Sequence, residues 1–159
     1  MQPGDYIEYK SHNATSADAI HAMHIAILEG IKDKRNWKLN EQFKEAARRG
    51  ELESVLMDFV VDQVEYEPDT NNHQKVKTAQ RTIEDGKGNC VDMAIIFCTF
   101  LTLNQVPNWM RQASIIDPNH WDHILTVTNS NTLDAVPYKG NRGLNNSAPM
   151  YKYQDYKIL

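Results

Sequence analysis

Gly86-Lys-Gly-Asn-Cys90-Val-Asp-Met-Ala-Ile-Ile-Phe-Cys-Thr-Phe-Leu-Thr-Leu103 is the stretch on which the reading of the fold turns. Between Met93 and Leu103 the only polar side chains are Thr99 and Thr102, and none is charged. A helix that is apolar almost all round belongs at the centre of a core. Asn104 and Pro107 end it, since the residue before a proline is driven out of the helical region. Gly86 and Gly88 ahead of it predict a tight loop that leads straight into Cys90.

Outward from this helix the pattern changes in both directions. Downstream come short strand-like runs over about 109–115, 123–128 and 132–136, with Asn129-Ser130-Asn131 as a hairpin turn between the last two. Upstream, Thr15 or Ser16 can cap a helix over about 17–33 whose apolar stripe is Ile20, Met23, Ile27, Leu28 and Ile31. A second helix over 40–49 carries Phe43, Ala46 and Ala47 and stops at Gly50. A third, over about 51–64, aligns Leu52, Val55, Leu56, Phe59 and Val60. Residues 75–84 read as a loop with a short helix. From Pro137 the chain is rich in Gly, Asn and Tyr and reads as surface-hugging coil, with Tyr138, Tyr151, Tyr153 and Tyr156 suited to docking on an assembly partner. Helices followed by an antiparallel sheet give an α+β fold class. We expect one domain over 1–159, with N-terminal helices over 15–64, a core over 75–136 and coil over 137–159.

Composition narrows the function. The chain has 159 residues, 17 basic and 21 acidic side chains and a net charge of −4. A nucleic-acid partner wants a basic surface, and the longest basic run, Lys32 to Lys38, contains Asp33. No apolar stretch approaches the ~20 residues of a membrane span, and the first ten residues lack the apolar core of a secretory signal. The expectation is no nucleic acid, no membrane and a cytoplasmic setting, where two thiols stay reduced. Cys90 and Cys98 are not expected to bridge. Eight helical positions separate their Cα atoms by about 12 Å, whereas a disulfide needs less than about 7 Å.

Cys90 carries the most chemistry. A helix N-terminus presents free N–H groups and a partial positive charge, which favour a thiolate. A buried structural cysteine fits the same position, because free Cys is among the most buried residue types. Cys98, amid Phe97, Phe100 and Leu101, reads as core. A thiol nucleophile needs a base, and the base needs an orienting group. His123 opens an apolar-alternating strand and Asp134 lies on the next one. The turn at 129–131 sets them opposite or one diagonal step apart, so that a carboxylate there can hold one imidazole nitrogen. Without Cys90, the same two residues would read as an exposed strand-end histidine and a turn aspartate. A metal reading draws on His120, His123 and Cys90, or on His21 and His24. It lacks the further ligand that zinc spacing requires, so no metal and no cofactor is expected. His73 reads as a solvated loop residue.

Gly88-Asn89-Cys90-Val91-Asp92-Met93-Ala94, then Asn104-Gln105-Val106-Pro107, His123-Ile124-Leu125-Thr126-Val127 and Leu133-Asp134-Ala135 together resemble the transglutaminase-like (papain-like) superfamily. The match runs from about Val64 to Val136. Val64-Glu65-Tyr66 and Asp69 also look like the Tyr-containing lead-in of that family. The resemblance implies a nucleophile helix packed on a small antiparallel sheet, with the catalytic core over 75–136. It casts Cys90 as nucleophile, His123 as general base and acid, and Asp134 as the group orienting His123. Asn89 and Val91 stand where acids are common, Asp92 is kept, and Gln105-Val106-Pro107 lacks the usual glycine.

The implied activity is thiol-dependent acyl transfer or amide hydrolysis on a protein or peptide substrate, as peptidase, deamidase or transglutaminase. The Cys90 backbone N–H is one natural oxyanion donor, and Gln80 is the upstream side-chain candidate for a second, with an exposed surface amide as its alternative. Trp121 and Asp92 are candidates for the substrate cleft; the alternatives are a rim or packing role for Trp121, and helix capping, loop binding or a solvated first-turn acid for Asp92. The resemblance also admits a non-catalytic assembly role, such as a phage virion component that reuses the fold.

Overall fold

The computed structural model describes residues 5–8, 17–68 and 75–159. The expected caps Thr15 and Ser16, together with Asp69 and His73, lie outside the described residues. The chain forms an α+β architecture of five helices and nine strands among the described residues.

Helix α1 (Ala17–Lys32) buries Ala19, Ile20, Met23, Ala26 and Ile27. Leu28, expected on this stripe, is exposed. At 3.6 residues per turn it points about 80° away from Ile20, outside the buried arc. Helix α2 (Lys34–Arg48) begins well ahead of the expected Asn40. Asp33 caps it by accepting from the Arg35 backbone N–H at 2.9 Å, so a polar, non-periodic run becomes helical through its cap. Gly50 has φ 71°, the left-handed conformation open to glycine, and leads to α3 (Leu52–Gln63). Leu52, Leu56 and Val60 are buried there.

The region over 65–89 holds more order than its sequence suggests. Strand β1 (Tyr6–Glu8) pairs antiparallel with β3 (Lys75–Lys77). Strand β2 (Glu65–Tyr66) pairs parallel with β4 (Lys87–Gly88), which lies inside the expected tight loop. Helix α4 (Ala79–Asp85) sits between β3 and β4, capped by Thr78 and closed by Gly86 at φ 70°.

Helix α5 (Cys90–Leu103) buries every residue from Val91 to Leu101. Beside it lies a five-stranded antiparallel sheet of β5 (Asn108–Ser114), β6 (His123–Thr128), β7 (Thr132–Tyr138), β8 (Asn141–Leu144) and β9 (Lys152–Lys157), in the order β8-β7-β6-β5-β9. Thr126 Oγ1 donates to the Ala94 carbonyl at 3.3 Å and lies 3.6 Å from Cys98 Sγ, so α5 touches β6 directly. The main core gathers Met23, Ile27, Leu56, Phe97, Phe100, Met110, Ile124 and Leu133 from α1, α3, α5 and the sheet. A smaller cluster of Ala113, Ile115, Leu125 and Ala148 fills another part of the interior, and neighbouring Ile124 and Leu125 serve different clusters.

The segment after Pro137 is not coil. It finishes β7, forms β8, and returns as β9, which pairs with β5 from Trp109↔Lys157 to Ser114↔Lys152. Lys152-Tyr-Gln-Asp-Tyr-Lys157 is almost wholly exposed, so it lacks the apolar alternation that marks a half-buried strand. Its order comes from the backbone ladder and from the Arg111–Asp155 ion pair, at 2.7 and 2.9 Å.

Candidate active site

Cys90 is the first residue of α5 and is half-buried. The helix start is held by a reciprocal capping box: Asn89 Oδ1 accepts from the Asp92 N–H at 3.0 Å, and Asp92 Oδ2 accepts from the Asn89 N–H at 3.1 Å. Asp92 Oδ1 also accepts from the Lys77 N–H at 3.4 Å. Asp92 is therefore buried with both carboxylate oxygens accepting from backbone, the capping role offered beside a cleft role by the sequence. Gly88 is required by the same packing. A Cβ there would lie 2.8 Å from Asp92 Cβ and 3.0 Å from Thr82 Cγ2.

His123 opens β6 with 3% exposure, and Asp134 on β7 has 5%. Thr126 faces Leu133 and Val127 faces Thr132, a register that continues to set Asp134 one diagonal step from His123. His123 Nε2 and Asp134 Oδ2 lie 2.7 Å apart. Asp134 Oδ1 accepts from the Val136 N–H at 3.1 Å, which fixes the carboxylate from its other side. With Nε2 committed to Asp134, Nδ1 is the ring nitrogen left for Cys90. Burial pushes the imidazole down, but hydrogen bonding to Asp134 and to Cys90, with the charges of both, outweighs burial and raises it to about 10. Cys98 contrasts with this. Burial pushes its thiol up to about 12, partly offset by Thr126.

The remaining predicted residues sit elsewhere or do other work. Gln80 donates through Nε2 to Glu84 Oε1 at 3.1 Å, and it lines a groove with Arg35, Leu39 and Ile83. The Gln80 amide is thus hydrogen-bonded within α4. Trp121 is half-buried, with the Lys152 ammonium 4.4 Å from its ring centroid. His120 is exposed and its Nδ1 lies 2.7 Å from Asp117 Oδ2. His24 on α1 is lowered by burial and by His21. Among the described residues, no group of three or more His, Cys, Asp and Glu side chains is arranged to hold a metal ion. No helix among them is long and apolar enough to cross a membrane.

Two residues gain weight only in three dimensions. Asp122 accepts from the backbone N–H groups of Ile115, Ile116 and Asp117 at 2.8–3.0 Å, so it pins the loop that leads back to His123. Tyr66 lies opposite Gly88 in the parallel β2–β4 pair, two positions before Cys90. Burial, then the charges of Cys90 and Asp134, push its phenol up. The chain itself marks Tyr66 only as part of a lead-in, because a two-residue parallel pairing leaves no periodic signature.

No curated protein and no solved structure gives a significant match to the chain. The family model for the transglutaminase-like superfamily matches residues 38–129, a span that contains α5, Cys90 and His123 and ends just short of Asp134. Because that match covers more than half of the length, the chain belongs to the transglutaminase-like superfamily.

Proposed function

We propose that this protein performs thiol-dependent acyl transfer or amide hydrolysis, with Cys90 as nucleophile, His123 as general base and acid, and Asp134 as the group that orients His123. One observation carries the reading: a buried imidazole is held at 2.7 Å by a buried carboxylate, while the Cys90 thiol acts on the same ring. A buried His–Asp pair costs desolvation, and pairing it with a half-buried thiol at a helix start gives that cost a chemical use.

In this mechanism His123 takes the thiol proton. The sulfur attacks an amide carbonyl, a C–S bond forms, and the carbonyl electron pair moves onto oxygen. Collapse of that intermediate breaks the C–N bond, and imidazolium gives its proton to the departing amine. The thioester is then released by water, giving hydrolysis or deamidation, or by a second amine, giving a cross-link. Asp134 keeps Nε2 engaged throughout, so that Nδ1 serves the sulfur. The substrate class this fits is a protein or peptide amide.

The test is site-resolved alkylation. At about pH 6 a small iodoacetamide probe is expected to label Cys90 at least tenfold faster than Cys98, and His123→Ala is expected to slow Cys90 at least tenfold. Equal, slow labelling of both thiols in the unaltered protein would instead favour a non-catalytic assembly role.

A further inference from the structure

We propose that the outer edge of β9 is a homodimer interface: a second copy of this chain adds its own β9 antiparallel across that edge, centred on Gln154, and the two sheets become one. The proposal stands apart from the acyl-transfer reading.

The ladder shows what the edge offers. Among the described strands, β9 pairs with β5 alone and ends the sheet. Along an antiparallel strand, successive residues turn their backbone groups to opposite sides. The carbonyls of Asn108 and Ser114 face β9, since they accept from the Ile158 N–H at 2.9 Å and the Tyr151 N–H at 2.8 Å. The Ala113 carbonyl faces β6 and accepts from the Asp122 N–H at 3.1 Å. Met110 and Gln112 therefore also face β9, where they stand opposite Tyr156 and Gln154. Gln154 and Tyr156 thus spend their backbone groups on β5, and those of Tyr153, Asp155 and Lys157 point outward. Each of these three carries one donor and one acceptor, on a strand that is exposed along nearly its whole length.

Self-complementarity names the occupant. Outward groups must meet outward groups, so the two-fold axis passes through a residue and not between two. An axis at Asp155 sets two carboxylates opposite each other, which is destabilising. An axis at Tyr153 sets Lys157 against Pro149, which has no N–H to give. An axis at Gln154 meets neither obstacle. Tyr153 then pairs with Asp155 of the second copy, and Asp155 with its Tyr153. Gln154 faces itself, and an amide both donates and accepts. Lys152 faces Tyr156 and Lys157 faces Tyr151, so no like charges stand opposite. The residues that make the contact are ordered beforehand. Arg111 holds Asp155 at 2.7 and 2.9 Å, and its guanidinium lies 3.8 Å from the Tyr153 ring centroid. Such preorganisation lowers the entropy cost of association. Lysines at both ends of the edge discourage unrelated strands, so the register admits this sequence in particular.

The experiment is sedimentation velocity on the full chain. From about 1 µM to about 1 mM, the unaltered protein is expected to pass from monomer to dimer. Gln154→Lys and Gln154→Glu each place like charges on the axis and are each expected to weaken the dimer about fivefold. Mixed in equal amounts, the two variants are expected to dimerise more tightly than either alone, because Lys then faces Glu. Tyr153→Pro removes an outward N–H that β5 does not use and is expected to weaken the dimer at least tenfold. Cys98, fully buried, reports an intact fold by staying unlabelled with iodoacetamide. If Tyr153→Pro exposes Cys98, the charge pair at the exposed Gln154 decides. Unaltered protein that stays monomeric at about 1 mM overturns the proposal and leaves the edge to an extended segment of some other protein. A dimer that neither charge weakens, or a mixture no tighter than its components, overturns it as well.

Discussion

His123 links stability to the candidate chemistry. In the folded protein its imidazole is raised to about 10, against 6.5 for the unperturbed group. A raised value means that the folded state holds the proton more tightly than the unfolded state does. The stabilisation is therefore complete below pH 6.5 and is lost as pH rises through about 10. We expect thermal melts of the unaltered protein to fall more steeply between those limits than melts of His123→Gln. Parallel curves would show that the ring is not held by Asp134 and Cys90 in solution. At the same scale Asp92, read from the chain as either a cap or a cleft residue, is a cap, since both its oxygens accept from backbone N–H groups.

The element that governs the site is the turn from β4 into α5. Gly88→Ala would drive a methyl group against Asp92 and Thr82. Overpacking of this kind costs about 1–3 kcal/mol, and urea denaturation is the measurement. Asn89→Ala removes the N-cap acceptor of Asp92 and is expected to cost about 1 kcal/mol. It also loosens the residue next to Cys90, so iodoacetamide labelling of Cys90 should change together with stability. Helix α5 was legible because its apolar run is continuous and its cap is local. The early start of α2 was not, because Lys34 to Lys38 has no apolar period and only the Asp33 cap commits it.

On the scale of the whole molecule, β9 is the strand that closes the sheet against β5. Tyr156 and Ile158 pack on the main core, and the Asn108 backbone exchanges hydrogen bonds with Ile158 and Leu159. Ending the chain at Tyr151 is expected to remove about 3 kcal/mol of apolar burial, which lowers the melting temperature by about 6–12 °C. It also bares the β5 edge, so size-exclusion chromatography should show association. A monomeric, equally stable truncation would show that β9 contributes little to the sheet.

Local physics reaches as far as a helical turn, a cap or a hairpin. Within that range the chain by itself determined the buried α5 helix, Cys90 at its start, the α1 and α3 faces, and the β6–β7 hairpin that brings Asp134 toward His123. Tertiary packing alone decided what meets Cys90. The imidazole arrives from 33 positions downstream. Gln80 is drawn away by Glu84 on its own helix. These outcomes depend on how α5 seats against β6 and how β2 docks beside β4. Both are contacts between distant segments, whose favourable burial no local pattern records.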